Sequence, residues 1–272
     1  MNIYTFKLLG QKGCDQAASV VTFYILDHNE CGSRGLVIVC PGGAYSNLSA
    51  EREGSRVATA YLAAGFNAAV LKYAVYPETH PRPLLDLAQA VRLARRNAAQ
   101  WQTDPHRIAV CGFSAGGHLA ASLCNLWDDP AYFSPEEIGA QAVRPDAAVL
   151  CYPVIAPLGS AAKQTFANLT GKQTSDSLWS ELSLQRRVTA ATPPTFLFHT
   201  WEDQAVSVKN TLDYAQALQR AGVAAEVHIF TRGMHGIDLA ASEPARLKPR
   251  FGREYPWLKL SAEWLYERFD LQ

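Results

Sequence analysis

Short apolar runs alternate along the chain with longer segments in which apolar residues recur every three or four positions. Continuously apolar runs are typical of strands that are covered on both faces, as in a parallel sheet. Such runs occupy 35–40, 67–75, 107–113, 146–152, 195–200 and 225–230. The segment 20–26 alternates apolar and polar residues instead, which predicts an antiparallel edge strand.

Three amphipathic patterns predict helices between and after these runs. The first extends from Leu84 to Ala98, the second from Val208 to Leu218, and the third from Leu258 to Phe269. Alternation of strands and helices is typical of a mostly parallel sheet with helices on both faces. The sequence therefore predicts a single α/β domain over residues 1–272.

The interval 152–193 interrupts this alternation, because it contains no clear strand signal. A crossover between parallel strands needs only about a dozen residues, and longer loops are usually functional or carry extra structure. Ligands of parallel sheets bind at the carboxyl ends of the strands. We therefore interpret 152–193 as a small cap insertion that helps to shape a site there, with a plain surface excursion as the alternative.

Composition and charge narrow the function classes. The chain has 272 residues, of which 48% are hydrophobic and 18% charged, as in a folded globular protein. Its 25 basic and 25 acidic side chains balance, so we expect neither nucleic acid nor a membrane surface as partner. A net charge of zero gives little protection against self-association, which leaves a homo-oligomer open.

Targeting signals and cysteines point to a reducing compartment. No segment approaches the ~20 apolar residues of a membrane helix, and the N-terminus lacks the apolar core of a signal peptide. No two of the 6 cysteines lie within four residues of each other, so the paired-cysteine zinc pattern is absent. We expect a cytoplasmic protein without metal or cofactor, whose Cys40, Cys111 and Cys151 serve as small apolar residues.

The strongest chemical signal is the sequence GFSAG at 112–116, between a predicted strand and a helix rich in small residues. A sharp strand-to-helix turn needs glycines on both sides of the serine, because a Cβ does not fit there. Such a turn exposes the hydroxyl above the sheet and points the helix N-terminus at it. Ser114 is therefore the candidate nucleophile, with a merely structural glycine turn as the alternative.

A serine nucleophile needs a base and a group that orients the base, in the chain order serine, acid, histidine on this kind of sheet. His235 follows the last strand in a loop, whereas His199 and His228 lie inside apolar runs. The acid should follow the preceding strand, where Asp203 is preferred over its neighbour Glu202. Asp238 is a weaker rival, since it is better placed to cap a following helix.

The loop after the first parallel strand, PGGAY at 41–45, is placed to complete an oxyanion site. Its glycines allow successive N–H groups to point at one spot, so Gly43 and Ala44 are candidate donors together with Ala115. No Gly-Lys-Ser/Thr follows this loop, which argues against the alternative of a phosphate-binding loop.

Several further residues have two interpretations. Tyr45, Tyr73 and Trp201 are tentative substrate contacts, although each tyrosine is equally suited to packing its loop. His118 is interpreted as a hydrogen-bonded structural histidine. The tryptophans at 179, 201 and 257 either form an aromatic wall for a sugar ring or bury the cap.

Five motifs in this order, at 41–45, 112–121, 152–155, 192–206 and 233–236, resemble an α/β-hydrolase esterase. The likeness is to the bacterial branch of acetyl-xylan esterase-like and lipase/esterase proteins, related to hormone-sensitive-lipase-type enzymes. It implies the α/β-hydrolase fold and a Ser114–Asp203–His235 triad. Pro41 stands where the larger lipase group has the histidine of its HGGG motif, which favours the branch that cleaves small esters. Trp201 stands where this branch often has a small residue before the acid.

These observations together predict a serine carboxylesterase that cleaves short-chain esters, with acetyl esters of carbohydrates as leading substrates. The same residues also suit a serine peptidase, a thioesterase or a lactonase. A non-catalytic ligand-binding protein on a hydrolase scaffold is the alternative from another class, and a full set of serine, acid and histidine argues against it.

Overall fold

The computed structural model describes residues 1–8, 19–27, 32–171, 176–237 and 255–271. Within these ranges, eight strands form one sheet in the order β1-β2-β4-β3-β5-β6-β7-β8. The strands are β1 Asn2–Lys7, β2 Val20–Ile25, β3 Arg34–Cys40, β4 Asn67–Lys72, β5 Thr103–Phe113, β6 Ala147–Cys151, β7 Thr195–Thr200 and β8 Ala225–Phe230.

Strands β3 to β8 pair in parallel, while β1 and β2 are antiparallel to their neighbours. The mostly parallel sheet is thus confirmed, with two corrections at its edges. Strand β2 is antiparallel as predicted but is not the edge, because β1 pairs outside it. Strand β8 is the opposite edge of the described sheet. None of its side chains is fully buried and Val227 is 38% exposed, so the strand is not covered on both faces.

The described helices are α1 Arg56–Ala63, α2 Arg82–Arg96, α3 Ala115–Leu126, α4 Pro135–Gly139, α5 Ser160–Leu169, α6 Asp176–Glu181, α7 Lys209–Arg220 and α8 Trp257–Arg268. A π-helical segment, Ala50–Ser55, precedes α1, and a short 3₁₀ helix, Leu184–Arg186, follows α6. The three helices predicted from the amphipathic patterns correspond to α2, α7 and α8, with ends shifted by one or two residues.

Two apolar layers cover the sheet, because successive side chains of a strand point to opposite faces. In β3, Ile38 joins a cluster with residues of α2, α3 and α7, whereas Val39 joins one with residues of α1 and α8. The four cysteines at 40, 111, 124 and 151 are free and buried in these layers. Helices on both faces hold the sheet rigid, so the loops at its carboxyl edge have a fixed base.

The segment 152–193 contains α5, α6 and the 3₁₀ helix, with no strand in its described part. Its interpretation as a cap stays a prediction, as does the single domain over 1–272. In the described part of the chain, no helix combines the length and the apolarity needed to span a bilayer. Asp238 and the cysteines at 14 and 31 lie outside the described residues.

Candidate active site

Ser114 occupies the sharp turn between β5 and α3, with φ 52° and ψ −115°. A Cβ on Gly112 would lie 2.2 Å from the carbonyl oxygen of Gly116, and one on Gly116 would lie 2.1 Å from that of Cys40. Real Cβ atoms do not approach backbone this closely, so only glycine fits on either side. The turn holds the serine in a strained conformation, which is common at functional sites.

His235, in the loop after β8, connects Ser114 to Asp203. Its Nε2 lies 2.8 Å from Ser114 Oγ, and its Nδ1 lies 2.7 Å from Asp203 Oδ2. The structure therefore brings together the three residues proposed from the sequence as nucleophile, base and acid. With Nδ1–H donating to the carboxylate, Nε2 is free to accept the serine proton.

Asp203 is buried, and both of its oxygens accept hydrogen bonds. Oδ1 accepts from the N–H groups of Ala205 and Val206, each at 2.9 Å. Oδ2 lies 2.7 Å from His235 Nδ1 and 3.3 Å from His199 Nε2. Burial alone raises the pKa of Asp203, but the bonds from the two histidines and the backbone outweigh it and hold this pKa well below its usual range.

Glu202, the residue before Asp203, is exposed and takes no part in the hydrogen bonds around Asp203. The chain leaves β7 at Thr200, and Asp203 is the residue of the following loop whose carboxylate reaches the ring of His235. His199 is fully buried in β7, as expected of a strand residue, and its Nδ1 lies 2.7 Å from Thr211 Oγ1. Because its Nε2 faces the Val206 carbonyl and the Asp203 carboxylate, Nδ1 accepts from the threonine hydroxyl.

The loop after β3 lies directly against the nucleophile. A Cβ on Gly42 would lie 3.1 Å from the Cβ of Ser114, and one on Gly43 would lie 2.0 Å from the carbonyl oxygen of Asn47. Gly43 has φ 137°, and Ala44 and Tyr45 also have positive φ, 53° and 54°. Three successive residues in this region turn the backbone sharply over the serine.

This turn leaves backbone donors beside Ser114. In the described ranges, the N–H groups of Gly43 and Ala44 are bonded to no acceptor. Ala115 is the first residue of α3, and the first amides of a helix lack a partner inside the helix. Gly43 and Ala44 directly follow Gly42, which lies against Ser114, and Ala115 directly follows Ser114 in the chain. The role of these three residues as an oxyanion site stays a prediction.

Tyr45 and Tyr73 support the loop from beneath, and this corrects the expectation that they contact substrate directly. Their side chains are 1% and 2% exposed. The Tyr73 hydroxyl donates to the Pro41 carbonyl at 2.6 Å, and the Tyr45 hydroxyl lies 3.0 Å from His118 Nδ1. A buried tyrosine hydroxyl usually has a hydrogen-bond partner, and these two have theirs in Pro41 and His118.

His118 is a structural histidine, as the sequence indicated. Its Nε2 lies 3.0 Å from the Leu182 carbonyl, so it donates there and leaves Nδ1 to accept from Tyr45. Burial lowers the pKa of His118 to about 4, which keeps the ring neutral. It thereby ties α3 to the loop at 41–45 and to the segment 152–193.

The three tryptophans do not form one aromatic wall. Trp257 is fully buried and stacks on Phe198 at 5.7 Å, and Trp179 packs on Phe166 at the same centroid distance, 5.7 Å. Trp201 is 60% exposed in the loop that carries Asp203. It is the most exposed of the three and is open to contact with a ligand at this edge.

Sequence reasoning missed three residues that hold the site. Asn168 of α5 donates from Nδ2 to the Ala44 carbonyl at 2.8 Å. Glu53 accepts from the Gly42 N–H at 2.9 Å, and Arg52 donates to the Gly236 carbonyl at 2.8 Å. No sequence signal marks these three residues, and a charged stretch such as EREG at 51–54 usually predicts a solvated surface.

In the described part of the chain, no group of three metal-binding side chains is assembled.

The BD-FAE family model matches residues 24–218. Endo-1,4-beta-xylanase B of Butyrivibrio fibrisolvens is 34% identical over 220 residues, which are 79% of this chain and 34% of that protein. The acetylxylan esterase of Xylanibacter ruminicola is 32% identical over 228 residues, which are 82% of this chain and 44% of that protein. The chain thus spans less than half the length of these curated relatives.

Solved structures match along nearly the whole chain. The acetyl ester-xyloside bifunctional hydrolase from Caldicellulosiruptor lactoaceticus is 34% identical with a TM-score of 0.82, over 98% of this chain and 96% of that one. MGS-M1, an alpha/beta hydrolase from a Medee basin deep-sea metagenome library, is 30% identical with a TM-score of 0.74, over 100% and 99%. These likenesses confirm the α/β-hydrolase fold and the resemblance to its esterases.

Proposed function

Because the chain belongs to the BD-FAE family, we propose that it is a serine carboxylesterase that hydrolyses short-chain esters. The observation that carries this proposal is the continuous contact from Ser114 Oγ through His235 to Asp203, at 2.8 and 2.7 Å. Both distances are within hydrogen-bond reach before any substrate is bound.

The reaction proceeds by acyl transfer in two steps. As Ser114 Oγ attacks the ester carbonyl, His235 Nε2 takes its proton, and the Asp203 carboxylate stabilises the imidazolium. The amides of Gly43, Ala44 and Ala115 bind the oxyanion. His235 then protonates the leaving alcohol, and the acyl group remains on Ser114. Water, deprotonated by His235, attacks this ester and releases the acid.

Acetylated carbohydrates are the substrate class that the relatives favour, since one is named an acetylxylan esterase and another an acetyl ester-xyloside bifunctional hydrolase. Trp201, exposed beside the acid, is suited to packing against the apolar face of a sugar ring. A cytoplasmic location and a homo-oligomer stay predictions from the sequence.

Acyl-chain length tests this proposal. We propose a narrow acyl pocket, in which an extra methylene adds strain instead of transfer energy. We therefore expect kcat/KM for p-nitrophenyl acetate or butyrate to exceed that for the decanoate by at least ~10-fold. Ser114→Ala should abolish all of these activities. A profile that rises toward long chains, or that rises sharply above the micellar concentration, would point to a lipase.

Trp201→Ala tests the carbohydrate side of the proposal. We expect kcat/KM on acetylated xylo-oligosaccharides to fall about 10-fold, while p-nitrophenyl acetate is hydrolysed within twofold of the wild-type rate. The control is Leu212→Ala, which removes a 40% exposed apolar side chain from α7. It should leave the hydrolysis of both substrates within twofold of the wild-type rate. Equal effects of Trp201→Ala on both substrates would remove the argument for a sugar contact.

A further inference from the structure

Glu53 is a buried carboxylate that the proposed reaction does not use. It lies in the π-helical segment Ala50–Ser55 and is 4% exposed, although Glu51 and Ser55 of the same segment are exposed. Its Oε2 accepts the N–H of Gly42 at 2.9 Å, and its Oε1 accepts the hydroxyl of Tyr152 at 2.9 Å. Both oxygens are acceptors, which is what an ionised carboxylate provides.

One of these contacts reaches the loop that faces Ser114. Gly42 directly precedes Gly43 and Ala44, and a Cβ on Gly42 would lie 2.7 Å from Glu53 Oε2. Only glycine therefore allows the backbone to approach the carboxylate this closely. Positive φ values at Ala44 and Tyr45 persist only where surrounding contacts over-determine the chain. The bond to Gly42 is charge-assisted, so it is stronger than a neutral hydrogen bond.

The other contact reaches the histidine. The ring of Tyr152 packs edge-on against that of His235, with centroids 5.0 Å apart and planes at 69°. Arg52, the residue beside Glu53, donates to the carbonyl of Gly236, which directly follows His235, at 2.8 Å. One short π-helical segment thus touches both the loop at 41–45 and the loop that carries His235.

We propose that Glu53 is a positioning residue, whose carboxylate fixes the distance between the backbone donors at Gly43 and Ala44 and the imidazole of His235. The inference rests on the proposed function, because the donors and the base that Glu53 would position belong to that reaction. Glu53 itself takes no part in the chemistry. In the tetrahedral intermediate the oxyanion and the serine oxygen sit on one carbon. The donors and the base must therefore hold a fixed separation, and a misplacement of about 1 Å costs on the order of 100-fold in rate.

Three substitutions at this position test the proposal. Glu53→Asp moves the carboxylate back by one methylene, so it cannot reach both partners. We expect kcat for p-nitrophenyl acetate to fall 10- to 100-fold, with KM within about threefold. Glu53→Ala should lose at least as much. Glu53→Gln should recover kcat to within about fivefold, because its oxygen accepts from Gly42 while its NH₂ donates to the Tyr152 oxygen.

A control separates positioning from general stability. Asp146 also accepts a backbone N–H, that of Ile108 at 2.9 Å, but precedes β6 at the opposite end of the sheet. We expect Asp146→Asn to lower the melting temperature and to leave kcat within twofold. If Glu53→Asp lowers the melting temperature equally but keeps wild-type kcat, Glu53 is only structural and the proposal is wrong.

Coupling through Tyr152 is measured with a double-mutant cycle. Tyr152→Phe removes the hydroxyl that bonds to Glu53. We expect kcat of the double variant Tyr152→Phe, Glu53→Ala to be no lower than kcat of Glu53→Ala alone. Additive losses would overturn the coupling. Should Glu53→Ala not fold, the cycle uses Glu53→Asp. Retained activity in Ser114→Ala would instead overturn the proposed function, and the inference about Glu53 with it. The Glu53 variants test the positioning role alone.

Discussion

Asp203→Asn changes the proton arrangement of the site without changing its shape. An asparagine amide has one oxygen, and the N–H groups of Ala205 and Val206 both point at Oδ1 of the native carboxylate. The amide oxygen must stay there, because the reverse orientation would face NH₂ toward two donors and lose two buried hydrogen bonds. The NH₂ group then faces Nδ1 of His235.

That orientation sets the size of the effect. Facing a donor, Nδ1 becomes an acceptor, so the ring proton moves to Nε2, which lies 2.8 Å from Ser114 Oγ. A protonated Nε2 does not accept the serine proton. We expect kcat to fall about 10⁴-fold, as in other triads that hold the wrong tautomer. Four decades in rate are about 5 kcal/mol of activation free energy.

The assay is stopped-flow or steady-state hydrolysis of p-nitrophenyl acetate at neutral pH, with near-UV circular dichroism to verify the fold. Glu202→Gln is the matched control, because Glu202 is the adjacent carboxylate and is exposed. It should remain within about twofold of the wild-type rate. A large loss in Glu202→Gln with near-normal Asp203→Asn would show that the acid has been assigned one residue too late.

Two predictions concern stability. Burial lowers the pKa of His118 to about 4, whereas an unfolded histidine titrates near 6.5, so the unfolded state alone binds this proton between those values. The stabilising contribution is complete above pH ~6.5 and is lost as the pH falls to ~4. His118→Gln should therefore reduce the slope of unfolding free energy against pH in this window by about 1.4 kcal/mol per unit in urea titrations, and an unchanged slope would contradict the burial argument. Gly116→Ala places a Cβ 2.1 Å from the Cys40 carbonyl oxygen and should destabilise by more than ~2 kcal/mol or prevent folding, whereas Gly139→Ala meets no atom within 4 Å and should unfold at the wild-type denaturant midpoint or above.

The sequence predicted those parts of the molecule that backbone geometry dictates. Glycines around Ser114 are required by close backbone approach, so the motif carries its own structural context. Asp203 and His235 were found because each follows a strand at the carboxyl edge of a parallel sheet. Edge assignments failed at β1, where an exposed alternating segment pairs outside β2.

Side-chain direction was the part that the sequence did not determine. A tyrosine beside a loop packs above or beneath it according to where a buried acceptor lies, and for Tyr73 that acceptor is the Pro41 carbonyl. Burial of Glu53 depends on a π-helical segment that no composition signal marks. Such residues act through contacts between positions far apart in sequence, 99 apart for Tyr152 and Glu53. A short sequence pattern does not predict contacts of this kind.

Covalent labelling of the nucleophile tests the central claim most directly. A fluorophosphonate reacts with a serine only where a base removes its proton and donors bind the phosphoryl oxygen. We expect intact-mass spectrometry to show one adduct per chain, located on the peptide that contains Ser114, and no adduct in Ser114→Ala. An adduct elsewhere, or a wild-type chain that stays unlabelled while folded, would contradict the assignment of a working Ser114–His235–Asp203 triad.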